Sequence, residues 1–384
     1  MSLIYLDYNA TTAPSEAVRQ AIAPYLDTHF GNPSSIHWAG RAALDAVEDA
    51  REQVAGLMGA RSRDLFFTGG GTEADNTAVL GALFAGLSAG RNHLVISAVE
   101  HPAIHDAAAA AERRFGAKVD HVRVDDQGRI DLDQLRSLVN EKTALVSLML
   151  ANNEIGNIYP VAEAADIAHQ HGALCHTDAV QAFGKIPVNV QQLGVDLLSV
   201  SAHKLYGLKG CGALWVRAGT RFEPFMLGGG QERGRRGGTH NVVGIVAFGT
   251  ACAEAAAESD GERIRDLRDR LWRRLTTAIP DMTRNGDPSA CLPNTLNVSI
   301  PGVDGEGLLI SLDGYGLALS SGSACSSGSN KPSRVLTALG GEPWRVRCAL
   351  RLSIGRPTTT ADIETAADLI IADVRRLRAL NEAG

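Results

Sequence analysis

From about residue 60 to 217, short apolar runs alternate with stretches of helical spacing. Asp64–Thr68, His93–Ala98, Ala144–Leu150, Ala173–Thr177, Leu197–Ser201 and Gly212–Arg217 read as strands. Ala144–Leu150 (ALVSLML) is a near-continuous apolar run, the pattern of a central strand covered on both faces. Between the strands, Thr72–Ala85, Pro102–Phe115 and Val161–His171 read as helices, with Thr72 and Asp75 placed as a capping box. This alternation predicts an α/β layer around a mostly parallel sheet. Past residue 250 the pattern changes to long helical stretches, Ala251–Glu258, Arg263–Ala278 and Thr360–Leu380, with short strands such as Leu296–Ile300 between them. That change predicts a second, smaller α+β domain.

Composition narrows the class. A chain of 384 residues exceeds one small core, so a large domain plus a smaller one, or two of similar size, is expected. Apolar residues make up 45% and charged residues 21%, as in ordinary soluble proteins. The net charge is −6 and no basic block stands out, which argues against nucleic acid and anionic membrane as partners. The chain reaches Asp7 without a basic-then-apolar leader. Its longest apolar stretch, Val242–Ala257, is too short to span a bilayer and carries Thr250 and Glu254. A cytoplasmic location is the expectation. Six cysteines, Cys175, Cys211, Cys252, Cys291, Cys325 and Cys348, form no C-x-x-C pair, so no metal site is expected from this chain alone. Most should be small buried hydrophobes, held reduced.

Ligands of an open α/β sheet sit beyond the carboxyl ends of its strands. Five polar segments fall at such ends: Gly69–Thr72, Glu100–His101, Asn152–Glu154, Asp178–Gln181 and Ser201–Lys204. A lysine leaving a buried strand, as Lys204 does, is able to form a Schiff base once desolvation frees its amine. The bland alternative is a solvated lysine. Asp178 suits the acidic partner that a pyridoxal phosphate (PLP) ring nitrogen requires, or else a helix N-cap. The glycines before Thr72 admit a phosphate at a helix N-terminus. Gly69, Gly71 and Ala74 equally fit the dinucleotide pattern G-x-G-x-x-A, with Glu100 as the ribose-binding acid, so PLP phosphate, NAD and a bare turn all remain open on this segment. His101 is a candidate to stack on a ring or to move a proton, against a structural histidine. Cys325 stands in a run of small polar residues, Leu319–Asn330, that buries little, so it reads as an accessible nucleophilic thiol rather than an incidental one. Arg351 suits a bidentate grip on a carboxylate, with a surface ion pair as its alternative.

Taken together the segments resemble a known family. Residues 5–12 (YLDYNATT), 30–35 (FGNPSS), 152–156 (NNEIG), 176–181 (HTDAVQ), 201–207 (SAHKLYG), 229–239 (GGQERGRRGGT), 321–326 (SGSACS) and 351–356 (RLSIGR) carry a likeness to the cysteine desulfurases of the NifS/IscS type. These are class-V aminotransferase-like enzymes of PLP fold type I, and the likeness runs over nearly the whole chain. It implies a large PLP-binding domain over residues 14–250. A small domain over residues 1–13 and 251–384 would carry the Cys325 loop. The implied reaction takes sulfur from L-cysteine onto Cys325 and releases alanine. Lys204 would carry pyridoxal 5′-phosphate and shuttle the Cα proton. Asp178 would hold the ring nitrogen, Gln181 the ring oxygen, and His101 would stack on the ring. Gly71, Thr72, Ser201 and His203 would bind the phosphate, and Thr239 the phosphate of a neighbouring subunit in a homodimer. Asn152 and Arg351 would grip the substrate carboxylate. A sulfur-acceptor protein, such as an iron–sulfur scaffold, would take the sulfur; selenocysteine lyase is the alternative activity on the same fold. Leu208, Gly238 and His240 depart from the residues usual in the family.

Overall fold

The computed structural model describes residues 3–257, 260–321 and 332–383. After a two-residue strand β1 (Ile4–Tyr5), the chain lays down a seven-stranded sheet. Its strands are β2 (Leu65–Thr68), β3 (His93–Ser97), β4 (Lys118–Val122), β5 (Thr143–Ser147), β6 (Leu174–Asp178), β7 (Leu197–Ser201) and β8 (Gly212–Val216). The order across the sheet is β2-β8-β7-β6-β5-β3-β4. Every neighbouring pair is parallel except those of β8, which runs antiparallel to both β2 and β7. So β2, β3, β5, β6 and β7 all end at the same edge.

Alternate residues of each strand feed opposite faces. Leu198 and Val200 of β7 join the apolar cluster under the helices Trp38–Leu57, Val161–Gln170 and Val242–Ala257. Leu197, Leu145 and Leu94 point to a second cluster under the helices Gly71–Leu87 and Pro102–Phe115. Edge strand β4 escapes the sequence pattern because Lys118, Asp120 and His121 dilute its apolar residues, as is usual at an edge.

The C-terminal part has its own apolar cluster. An antiparallel sheet of β9 (Thr283–Arg284), β10 (Thr295–Ser299) and β12 (Ala349–Ser353), in the order β12-β10-β9, packs against the helices Gly261–Ala278 and Thr360–Ala383. Near the N-terminus, β1 pairs in parallel with β11 (Leu317–Ala318), and Asp7 bridges to Ser353. Residues 6–12 thereby run from this cluster toward the carboxyl edge of the large sheet.

Three sequence expectations need correction. The helix predicted from Thr72 starts at Gly71 with Gly70 before it and no side-chain cap, and Asp75 is buried instead of capping. The apolar run to Leu150 leaves the strand after Ser147, although Leu148–Leu150 stay buried. The helix expected from Ala251 begins at Val242, because its first turns are apolar nearly all round and show no helical stripe. No single helix among the described residues is long and apolar enough to cross a membrane.

Candidate active site

The five polar strand ends meet at one edge of the sheet, and Lys204 is the most constrained of them. It closes a short 3₁₀ turn, Ala202–Lys204, directly after β7. Two residues later Tyr206 sits at φ 68°, a left-handed conformation that a tyrosine holds only when its surroundings enforce it. They do. The Tyr206 N–H donates to Thr12 Oγ1 at 2.8 Å, its hydroxyl accepts the Arg356 N–H at 2.6 Å, and the Arg356 guanidinium lies 4.8 Å over its ring. Lys204 Nζ donates to the carbonyls of Asn9 and Ala10, both at 2.7 Å. The N-terminal segment therefore aims the lysine, and nothing in the hydrophobic pattern of residues 6–12 announces that task.

Asp178 ends β6 and is buried. Its Oδ1 accepts the Val180 N–H at 2.8 Å in a turn, not at a helix N-terminus, so the capping alternative does not apply. Burial pushes its carboxyl up to about 6, against the lowering pull of that N–H and of Lys204. The group is thus ionised at neutral pH yet poorly solvated, which suits pairing with a protonated ring nitrogen. Beneath it lie Asp75 and His176. His176 bonds Ser147 Oγ and Ser199 Oγ, both at 2.9 Å, and stands 3.8 Å from Asp75 Oδ1. Burial, with the Asp178 charge added, raises the Asp75 carboxyl strongly, and burial lowers the His176 imidazole. The Asp75 carboxyl is thus shifted toward its neutral form beside Asp178.

A phosphate fits between β2, β7 and the helix Gly71–Leu87. Ser201 Oγ is buried there without a hydrogen-bond partner, next to the N-terminus of a 17-residue helix. A Cβ on Gly71 would come within 2.9 Å of Val180 Cγ2 and 3.6 Å of Ser201 Cβ, so only glycine keeps this approach open. The cradle is braced from behind. The Gly69 N–H donates to Glu73 Oε2 at 2.7 Å, and Arg236 holds Glu73 at 2.8 Å. His203 places Nδ1 3.1 Å from Thr11 Oγ1, and burial beside Lys204 pulls its imidazole down to about 4. Thr72 occupies the second helical position. Glu100 is buried, with Oε1 accepting the Met149 N–H at 2.7 Å. A carboxylate closed off in this way cannot reach a ribose, which removes the physical basis of the dinucleotide alternative.

His101 caps the helix Pro102–Phe115, its Nδ1 accepting the Ala103 N–H at 3.1 Å. The neutral ring therefore carries its proton on Nε2. Burial, then the Lys204 charge, lowers the imidazole to about 4. Gln181 donates from Nε2 to the Asn9 carbonyl at 2.9 Å, so it shares that oxygen with Lys204.

Two expected carboxylate-binding groups look different from the sequence picture. The Asn152 side chain is fully engaged within the protein, donating to the Val99 carbonyl at 3.0 Å and accepting from Glu154 and Ile155 N–H groups at 2.8 and 3.0 Å. In this arrangement it organises the turn. Arg351 is no surface residue: it is 1% exposed, pairs with Asp7 Oδ1 at 2.7 Å and donates to the Asn153 carbonyl at 3.0 Å. Its Nε is buried without a partner.

Cys325 lies outside the described residues. Both flanks of its segment are nonetheless fixed to the site. Ser320 exchanges backbone hydrogen bonds with Arg351 at 2.6 and 3.2 Å, and Ser333 Oγ donates to Glu154 Oε2 at 2.6 Å. The five other cysteines have thiols pushed up by burial, the least reactive form of the side chain. Thr239 is exposed and follows Gly238 at φ 104°, while Nε2 of the unusual His240 lies 2.8 Å from Glu232 Oε1. Leu208, the third departure, packs on the large apolar cluster. Sequence reasoning missed Asn9, Asp75, His176 and Lys185. Asn9, Asp75 and His176 are buried and Lys185 is half-buried, and a sequence does not show which of its polar residues turn inward.

The arrangement has close parallels. Residues 4–365 match the family model described as Aminotransferase class-V. A protein named cysteine desulfurase from Gluconacetobacter diazotrophicus is 45% identical over 99% of this chain and 96% of its own length. A solved NifS-like protein superimposes with a TM-score of 0.90 at 34% identity, covering 97% of this chain and 99% of that one. The structure of SspA in complex with cysteine gives a TM-score of 0.80 at 32% identity over 91% of this chain and 98% of that one.

Proposed function

The chain belongs to the class-V aminotransferase family, among its cysteine desulfurases, and from that membership we propose how its own residues carry the reaction. It is a PLP enzyme that acts on L-cysteine and yields L-alanine. The observation that carries the residue assignments is the meeting of Lys204, buried Asp178 and the Ser201–Gly71 cradle at one strand edge.

Lys204 would hold the cofactor through Nζ, Asp178 its ring nitrogen, Gln181 its ring oxygen, and Gly71, Thr72, Ser201 and His203 its phosphate. When bound, the cofactor supplies an electron sink for bonds at the substrate's Cα and Cβ. Lys204 Nζ would be the base that takes the Cα proton. Its turn, locked by Tyr206, keeps Nζ within reach without a conformational search. His101 would stack on the ring and present Nε2 as the proton-bearing atom. The unpartnered Nε of Arg351 is one donor open to the substrate carboxylate, and Asn152 would join only by giving up its bond to Val99.

Cys325 is proposed as the nucleophile. Its thiolate attacks the substrate sulfur, an S–S bond forms, and the C–S bond breaks with its electron pair going to the substrate's Cβ. Protonation at Cβ and return of the proton to Cα from Lys204 give alanine, and Cys325 is left as a persulfide. A reduced acceptor protein, such as an iron–sulfur scaffold, would then take the sulfur. The anchoring of both flanks of the segment at Arg351 and Glu154 supports delivery of Cys325 to this site. A homodimer is part of the reading: Phe30, Ile36, Trp38 and Leu227 are each more than two-thirds exposed, and a second subunit would cover them and bring Thr239 to the neighbouring phosphate. The expected cytoplasmic setting would keep Cys325 reduced between turnovers. Cys325→Ala tests the nucleophile directly. The variant should bind PLP and change colour with L-cysteine, yet make little alanine and no protein-bound persulfide; wild-type alanine yield from it would remove Cys325 from the mechanism.

A further inference from the structure

Lys185 has no part in the reaction as proposed, yet it is packed against the residues that do. Its Nζ donates to Gln181 Oε1 at 2.7 Å and to Asn9 Oδ1 at 3.2 Å. Among the described residues no carboxylate lies within ion-pair distance of it, and Lys204 and Arg351 both repel its charge. Holding a half-buried lysine against two amide oxygens with no carboxylate partner is costly, and an apolar residue of similar size would fill the space at lower cost. A placement this unfavourable calls for a task.

Hydrogen-bond chemistry identifies it. A carbonyl oxygen only accepts, so the Asn9 carbonyl marks Nε2 of the Gln181 amide, and the Nζ N–H of Lys185 holds the oxygen end. Nε2 is then the end turned toward Lys204. It donates to the Asn9 carbonyl at 2.9 Å, the same oxygen that receives Lys204 Nζ at 2.7 Å. Two donors on one oxygen place Nε2 beside Nζ. The ring oxygen of PLP is borne on the carbon adjacent to the one carrying the aldehyde, so Nε2 would come within reach of it once Nζ held that aldehyde carbon. Asn9 is in turn held rigid. Its Oδ1 accepts from Asn294 at 2.9 Å, and its Nδ2 donates to Thr295 Oγ1 at 2.9 Å and to the Asn153 carbonyl at 3.2 Å.

Resting on the assignment of Lys204 and Gln181 above, we infer that Lys185 is a positioning residue for the cofactor: it locks the Gln181 amide with its N–H toward the ring oxygen. A donor held there stabilises negative charge on that oxygen and so makes the Lys204-bound cofactor easier to deprotonate. Without Lys185 the amide has a buried, unpaired oxygen and is free to turn.

The test is a pH titration of the visible absorption of the PLP-loaded protein with no substrate present. Groups facing the site besides Lys185 are Lys204, Asp178, His101, His203 and Arg351, and all are unchanged across the variants compared. Lys185→Met should raise the apparent pKa of the chromophore by about one unit, a tenfold change in proton affinity. Lys185→Gln, which keeps a donor and removes the charge, should titrate close to wild type. In a Gln181→Ala background, Lys185→Met should add no further shift. An unchanged titration in Lys185→Met overturns the inference, and so does an undiminished shift in the Gln181→Ala background, which would mean that the charge acts on the cofactor directly. If Lys185→Met fails to fold, a Lys185→Gln titration shifted by a full unit overturns it equally. A wild-type protein without a pH-dependent visible band would instead overturn the assignment of Lys204, and the inference with it.

Discussion

At the scale of single residues, the site works by deciding which groups stay charged. Burial raises Asp178 only to about 6, against the lowering pull of the Val180 N–H and Lys204, and it lowers the imidazoles of His101 and His203 to about 4, so both rings are neutral at pH 7. Asp178→Asn should therefore leave the protein folded and able to take up PLP, while kcat falls by about 10²–10³-fold, as when one preorganised electrostatic contact is lost. Steady-state alanine assays check this, and an effect below about threefold would remove Asp178 from its role. Lys204 and Asp178 were legible in the sequence because each interrupts an apolar strand at its last residue or just beyond it. The dinucleotide alternative was equally legible and failed on Glu100, since sequence does not reveal whether an acid at a strand end faces solvent or core. Asn152 illustrates the same limit: its place in the turn could be read, but not that its amide is consumed by the turn itself.

At the scale of elements, the segment Gln231–Gly234 shows strain held by packing. Glu232 and Arg233 sit at φ 47° and 57°, left-handed values that cost non-glycine residues about 1–3 kcal/mol each. The buried Glu232 carboxylate offsets this: it takes Arg51 Nη1 at 2.6 Å, the Phe67 N–H at 3.1 Å and His240 Nε2 at 2.8 Å. It thus ties this segment to the helix Trp38–Leu57, to β2 and to the residue after Thr239. Burial works to raise its carboxyl, but hydrogen bonds from His240 and Arg51 outweigh that and hold it at about 2. Glu232→Gln should lower stability by about 1.5–3 kcal/mol, because buried Arg51 loses one charged hydrogen-bond partner and keeps only Glu48, at 3.1 Å, as an ion-pair partner. The sign with pH follows from a depressed folded-state value. The stabilisation is present above the ordinary carboxyl value of 4.5 and is lost as pH falls toward 2, so the gap between wild type and variant should close over that window in denaturant titrations. A gap independent of pH would mean that shape, not charge, holds the segment. The family likeness flagged these residues by motif, but their left-handed backbone had no signature, since glycine is the residue usually found there.

The whole molecule divides the labour between its apolar clusters. Two of them fix the sheet whose edge carries Lys204 and Asp178, and the third supports Arg351 and Ser320. The sheet was readable from its alternation of strands and helices, except for edge strand β4, whose polar residues mask the period. Helices Glu16–Leu26 and Trp38–Leu57 left no clear signal because alanine and charged residues dominate them. Exposed Trp38 at the start of the second, and exposed Ile36 just before it, make a prediction at this scale. Light scattering on the purified protein should give the mass of two chains, and Ile36→Glu combined with Trp38→Glu should shift it toward one chain and weaken PLP retention, since Thr239 would then lose its neighbour. A wild-type monomer that retains full activity would show that the site is complete within one chain.

The most direct measurement is the visible spectrum of the purified protein before and after L-cysteine is added, with alanine assayed in the same tube. A yellow protein whose band shifts as alanine accumulates is the predicted result. A protein that stays colourless after incubation with PLP would contradict the assignment of Lys204, and a yellow one that makes no alanine would contradict L-cysteine as its substrate.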